Sequence, residues 1–150
     1  MIDANTLQSP PTEIVVVEDK NEDRKSIVFA LNTYVSPSHI AEFAREEDAR
    51  RFFERLNASP GGDWERALRL IILDFHLDGH NSLPFLQRLR ASRATRHTPV
   101  VIFSDSNERK DVARSYELGA NAFVTKPVEY EAFGEAVQSI AEFWLETNRV

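Results

Sequence analysis

The sequence predicts an α/β domain, doubly wound around a parallel sheet. Three observations point there. Four short apolar runs, Ile14-Val15-Val16-Val17, Leu70-Ile71-Ile72-Leu73, Val100-Val101-Ile102-Phe103 and Phe123-Val124-Thr125, lack the polar alternation of a half-exposed strand. They fit strands buried on both faces, as in a sheet covered by helices on each side. Stretches of helical period separate them, and strand–helix alternation means parallel strands joined by right-handed crossovers. Finally, each run ends in polar residues: Glu18-Asp19, Asp74, Ser104 and Lys126-Pro127. Ligand sites of open parallel sheets lie beyond the carboxyl ends of the strands. Three carboxylates, a hydroxyl and an ammonium are therefore expected at one edge.

The elements follow in order. Residues 1–12, with Asn5, Gln8, Ser9, Pro10 and Pro11, read as a loose tail. After the first strand, Asn21-Glu22-Asp23 offers a cap and an acidic first turn. A helix follows with Ile27, Phe29-Ala30-Leu31 and Tyr34 on its buried side, broken by Ser36-Pro37-Ser38. His39 to Ala44 alternates like a half-exposed strand. Glu46 to Leu56 is helical with a stripe of Ala49, Phe52-Phe53 and Leu56, and Asn57 to Asp63, holding Pro60-Gly61-Gly62, is a loop. Trp64, Ala67 and Leu68 are expected to pack at the entry to the third strand.

Beyond Asp74, a polar loop from Asp78 to Ser82 leads into a helix carrying Leu83, Phe85-Leu86 and Leu89. Pro99 opens the next strand, where a missing amide is tolerated. Asn107 to Leu118 is a helix closed by Gly119. The last helix, Glu129 to Thr147, has a stripe of Phe133, Val137, Ile140 and Trp144. The folded unit is expected to span 13–147, with 148–150 as a C-terminal tail.

Composition excludes several function classes. The 150 residues are 42% hydrophobic and 28% charged, ordinary for one globular domain. A net charge of −6 argues against nonspecific binding to nucleic acid or anionic membrane. With no cysteine there is no disulfide framework or thiolate metal site. The N-terminal residues do not form a signal peptide, and no segment approaches the roughly 18 apolar residues that span a bilayer. A cytoplasmic location is expected.

The strand-end residues have chemistry that fits phosphoryl transfer. Carboxylates held close repel one another, and a hard divalent cation such as Mg²⁺ relieves that cost; Glu18, Asp19 and Asp74 are its candidate ligands. Asp74 is the candidate nucleophile, since a carboxylate can carry a phosphoryl group as an aspartyl-phosphate. Ser104 could hydrogen-bond one phosphoryl oxygen and Lys126 could neutralise another. Pro127 would allow a cis bond that turns the lysine inward.

These residues, over about 13–145, resemble the receiver domains of two-component response regulators. The intervals from Asp19 to Asp74 to Ser104 to Lys126, 55, 30 and 22 residues, are typical of that family. The resemblance implies a five-stranded sheet in the flavodoxin-like order 2-1-3-4-5 with five helices. It implies phosphorylation of Asp74 by a histidine kinase, with Mg²⁺ held by Glu18 or Asp19, Asp74 and the backbone carbonyl of His76. It also implies a switch in which Ser104 moves toward the phosphoryl group and Phe123 turns inward behind it. Such a protein is a phosphoacceptor that assists its own phosphorylation and dephosphorylation, not an enzyme acting on a separate substrate.

A narrower resemblance, in Ser115-Tyr116-Glu117-Leu118-Gly119-Ala120-Asn121-Ala122, Thr125-Lys126-Pro127-Val128 and Phe143-Trp144-Leu145, is to the single-domain regulators of bacterial and cyanobacterial phytochromes. It makes a bacteriophytochrome a candidate kinase. It also implies a homodimer through the last two helices and last strand, with Tyr130 and Phe143 as interface candidates. Three departures stand out. The loop after Asp74 lacks the family's usual proline near Asp78 and glycine near Ser82. His76 replaces a more common Asn or Met, and Asp105 replaces a small residue; these two are expected to alter the lifetime of the phosphorylated state.

A haloacid-dehalogenase-like phosphatase would need an aspartate where His76 stands, and a flavodoxin would need a Ser/Thr/Gly-rich phosphate loop where Glu18-Asp19-Lys20 stands. The alternative that remains is a receiver-like interaction module no longer controlled by phosphorylation.

Overall fold

The structure, a computed structural model, describes residues 11–58 and 67–149. Most of the expected tail, most of the 57–63 loop and Trp64 lie outside the described residues. Five strands form one parallel sheet: β1 (Ile14–Val17), β2 (Ile40–Phe43), β3 (Leu70–Leu73), β4 (Val100–Ser104) and β5 (Ala122–Thr125), in the order β2-β1-β3-β4-β5. The expected flavodoxin-like order is the observed one. The helices are α1 (Asn21–Leu31), α2 (Glu46–Asn57), α3 (Leu83–Ala91), α4 (Arg109–Glu117) and α5 (Tyr130–Ala141).

Successive strand residues point to opposite faces, and the core divides accordingly. Val15, Val17, Ile71, Leu73 and Ile102 pack against Ala49 and Phe53 of α2 and Phe85, Leu86 and Leu89 of α3. Ile14, Val16, Ile72, Val101 and Phe103 pack against Ile27, Ala30 and Leu31 of α1 and Phe133, Val137 and Ile140 of α5. At about 1.5–3 kcal/mol per buried large apolar side chain, these two layers dominate the folding free energy. Leu68 joins the first layer at the entry to β3.

The register levels the strand ends. Val17 stands beside Phe43 and Leu73, Leu73 beside Ile102, and Ser104 beside Thr125. The ladders then run on into the polar residues: Asp74 N–H donates to Val17 O at 3.1 Å and Lys126 N–H to Ser104 O at 2.8 Å.

Several local expectations need correction. Phe29 is 73% exposed. At about 100° per residue it lies nearly opposite Ile27, whereas Ala30 and Leu31 flank Ile27 on the buried face. Asn21 is the first helical residue, not the cap; Lys20 occupies the cap position and makes no side-chain cap bond. Asn21 Oδ1 instead accepts from Arg24 Nη2 at 2.6 Å. Helix α4 is shorter than Asn107 to Leu118 at both ends, and Gly119 follows it at φ 109°. There Gly119 N–H donates to Tyr116 O and Ala120 N–H to Ser115 O, a Schellman arrangement.

The last helix changes type. It is α-helical to Ala141 and π-helical over Glu142–Thr147. The wider turn moves the buried position from Trp144 to Leu145, five residues after Ile140, and leaves Trp144 partly buried. The polar loop after Asp74 is not irregular either. His76–Leu77 and His80–Asn81 pair as a small antiparallel ladder around Asp78-Gly79, whose φ values are 52° and 80°. Positive φ at both central residues is the type I′ hairpin signature of Asp-Gly.

Candidate functional site

At the end of β1, Glu18 is buried although acidic, and its Oε2 accepts the Lys20 N–H at 3.1 Å. Asp19 is half-buried, and its Oδ2 accepts the Asp78 N–H at 3.2 Å, tying the hairpin to the acidic edge. Asp74, 5% exposed, ends β3, and its carbonyl accepts the buried Ser82 hydroxyl at 2.7 Å. The oxygens of Glu18, Asp19 and Asp74 lie within 4.8 Å of one another.

Lys126 enters from β5. Its Nζ lies 2.5 Å from Glu18 Oε1, 2.8 Å from Asp23 Oδ2 and 2.8 Å from Asp74 Oδ2. Among the described residues there is no cis peptide bond, so Lys126–Pro127 is trans. The inward turn needs no cis proline: the β4–β5 ladder carries Lys126 to the polar edge beside Ser104, and its long side chain reaches past β4 to the acids. Asp23 was expected only as a helix-start acid. Its place in the first turn of the helix that starts beside the carboxyl end of β1 is the signal that could have placed it here.

The charges do not balance. Glu18, Asp19, Asp23 and Asp74 face one ammonium. Burial, reinforced by the Asp74 charge and opposed by Lys126, pushes the Glu18 carboxyl up to about 8. Burial alone would lower Lys126, but its bonds to Asp23, Asp74 and Glu18 outweigh that and hold it above the ordinary lysine value. Lys126 therefore stays charged. The Glu18–Lys126 contact is an ion pair off the hydrogen-bonding direction, so the buried Glu18 Oε1 has no directed partner. An all-oxygen cluster of three carboxylates within 4.8 Å of one another fits a hard divalent cation, and Mg²⁺ takes one or two carboxylates in such sites.

The other expected residues lie around this centre. Ser104 is buried and its Oγ accepts the Ser106 N–H at 3.2 Å. Phe123 is half-buried; its ring is 6.2 Å from that of Phe75, and its N–H donates to the Tyr116 hydroxyl at 3.0 Å. His76 is exposed, edge-on to Phe75 at 4.8 Å. Asp105 Oδ2 lies 2.5 Å from Lys20 Nζ, a contact not expected from the sequence. That bond, outweighing the opposing effect of burial and helped by Lys126, Lys20 and His76, holds Asp105 below the usual carboxylate value. Tyr130 and Phe143 are exposed on the last helix and its extension.

Known proteins resemble this chain in sequence and fold. Residues 14–138 match the family model described as the response regulator receiver domain. The response regulator Rcp1 of Synechocystis is 29% identical over 141 residues, 93% of this chain and 92% of the relative. A crystal structure of its Mn²⁺-bound form superposes with a TM-score of 0.77 at 27% identity, covering 93% and 99% of the two chains. The probable methanogenesis regulatory protein FilR2 of Methanothrix harundinacea is 32% identical over 143 residues, 93% of this chain and 87% of the relative. The phosphorylated cyanobacterial phytochrome response regulator RcpA has a TM-score of 0.79 at 26% identity, covering 93% and 98%. With the order β2-β1-β3-β4-β5, the acid cluster at its edge and a family match over residues 14–138, this chain belongs to the response regulator receiver domain family.

Proposed function

We propose that Asp74 accepts a phosphoryl group from a histidine kinase in a Mg²⁺-dependent reaction, and that the domain then signals by a change of conformation or oligomeric state. The observation that supports this most is the buried Lys126 ammonium, 2.8 Å from Asp74 Oδ2 inside a cluster of carboxylates. An Asp74 oxygen attacks the donor phosphorus, the O–P bond forms as the phosphohistidine N–P bond breaks, and the imidazole nitrogen keeps the electron pair and takes a proton from solvent. Lys126 neutralises charge growing on a phosphoryl oxygen, and the Ser104 hydroxyl turns to donate to another. Mg²⁺, held by Glu18 or Asp19, Asp74 and the His76 carbonyl, would supply positive charge to the attacking carboxylate and the phosphoryl oxygens.

The reading makes the protein a phosphoacceptor, not an enzyme with a separate substrate, carried by a unit of residues 13–147 in the cytoplasm. The resemblance to a phytochrome response regulator makes a bacteriophytochrome a candidate kinase. Phe123, half-buried beside Phe75 on the edge strand, is the switch aromatic. A homodimer through α4, α5 and β5 follows from the family resemblance, with exposed Phe143 as a candidate contact; exposed Tyr130 instead lines a groove with Ser26 and Phe29 of α1. Among the described residues no helix is long and apolar enough to cross a membrane.

The test is incubation with Mg²⁺ and acetyl phosphate or a phosphorylated kinase. An acid-stable, base-labile label is expected on the wild type and absent from Asp74→Asn. No label with any donor would favour the module without phosphorylation control. His76 is expected to set the lifetime of the label, so an unchanged rate of loss in His76→Asn would remove it from that role.

A further inference from the structure

From the Lys20–Asp105 ion pair we infer a charged gate across the mouth of the phosphoacceptor site, with Asp105 selecting against free, highly anionic phosphodonors. This rests on the phosphoacceptor reading above. Lys20 follows Glu18-Asp19 at the end of β1, and Asp105 follows Ser104 at the end of β4. In the sheet, β3 lies between β1 and β4. A bond joining the residues just past β1 and β4 therefore passes over the end of β3, where Asp74 sits. Lys20 Nζ and Asp105 Oδ2 are 2.5 Å apart across 85 residues of sequence.

The chemistry agrees with that placement. Both side chains reach into solvent, 58% and 61% exposed, so the pair contributes little to stability and can open. Both also line an open cleft of about 360 Å³ that has Lys126 and Asp23 in its wall. An incoming phosphodonor carries negative charge and is drawn toward Lys126. Asp105 places a carboxylate in its path, and Lys20 cancels that carboxylate while the pair is closed. A free donor of high negative charge is repelled whenever the pair opens. A protein donor escapes this penalty because its own surface can offer a cation to Asp105 or a carboxylate to Lys20. Asp105 is thus a specificity-determining residue, and Lys20 positions and neutralises it.

The experiment measures Asp74 labelling with Mg²⁺ and two small donors. Acetyl phosphate carries two negative charges and loses acetate as its O–P bond breaks; phosphoramidate carries one net negative charge and loses ammonia as its N–P bond breaks. At low ionic strength Asp105→Asn is expected to speed labelling by acetyl phosphate about three- to ten-fold, and by phosphoramidate less. Lys20→Met, which leaves Asp105 in place and unpaired, is expected to slow acetyl phosphate by a similar factor. Both effects are expected to shrink as salt rises to about 0.5 M, with melting temperatures unchanged. Unchanged or slower labelling of Asp105→Asn overturns the gate. Acceleration in both variants, or a gain independent of salt and donor charge, also overturns it, because it would mark a mechanical brace. A wild type labelled neither by these donors nor by a phosphorylated histidine kinase overturns the phosphoacceptor reading and the gate together.

Discussion

Lys126 Nζ and Glu18 Oε1 meet at 2.5 Å with both side chains 1% exposed, a buried contact that becomes an ion pair when Glu18 ionises and that Lys126 shares with Asp74 and Asp23. Taking one partner from such a pair leaves a buried charge uncompensated, which typically costs about 3–5 kcal/mol. Lys126→Met is therefore expected to lower the stability of the metal-free protein by roughly 3 kcal/mol in urea unfolding at about pH 9, above the Glu18 value of about 8. The loss should be smaller at pH 5, where Glu18 takes up a proton, and Mg²⁺ should partly restore stability. An unchanged urea midpoint at about pH 9 would mean that the ammonium is not the counter-charge of the acidic edge.

Glu18 also sets a pH dependence. Its carboxyl is raised from 4.5 to about 8, chiefly by burial. Between those values the folded protein holds a proton that the unfolded chain has released. The Glu18 contribution to stability is therefore complete below about pH 4.5 and is lost as pH rises through about 8. The stability difference between metal-free wild type and Glu18→Gln, followed by melting, should change across this window and level off at both ends. Mg²⁺ binding should release a proton in the same window, which calorimetry in buffers of different ionisation enthalpy would detect.

The hairpin after Asp74 holds Asp19 through the Asp78 N–H. Gly79 at φ 80° allows the turn, and a β-branched residue there is strained whatever the space around it. Gly79→Val is expected to weaken Mg²⁺ binding several-fold with about 1–2 kcal/mol lost in stability. Metal affinity unchanged by the substitution would show that the hairpin does not position Asp19.

Gly119 couples α4 to α3. A Cβ at its φ of 109° would fall 2.8 Å from Arg90 Cγ, while Arg90 Nε donates to Gly119 O at 2.9 Å. Arg90 Nη1 also binds the Thr95 and Thr98 carbonyls. Gly119→Ala is expected to cost about 1–3 kcal/mol, read as a lower denaturation midpoint with little change in Asp74 labelling. A variant as stable as the wild type would show that Arg90 yields freely.

Much of this protein is determined locally in its sequence. Three unbroken apolar runs, 14–17, 70–73 and 100–103, specify buried strands, because only a sheet covered on both faces hides every side chain of such a run. The fourth, Phe123-Val124-Thr125, proves to be a half-buried edge strand, where one side has no neighbouring strand. The polar ends of all four specify Glu18, Asp19, Asp74, Ser104 and Lys126 as edge residues, because the parallel register levels the carboxyl ends. The resemblance carried by those same residues also foreshadowed the strand order. The tertiary structure decided what depends on distance through space. It brought Asp23 back onto Lys126, joined Lys20 to Asp105 across β3, and turned Phe29 outward where a block of apolar letters suggested burial. The π-turn that exchanges Trp144 for Leu145 is likewise invisible in the helical spacing; it brings Leu145 into the buried cluster that also holds Val101 and Phe103. Local patterns record which face a residue must hide, whereas the partner of a charge at that edge is set by chains that meet only after folding.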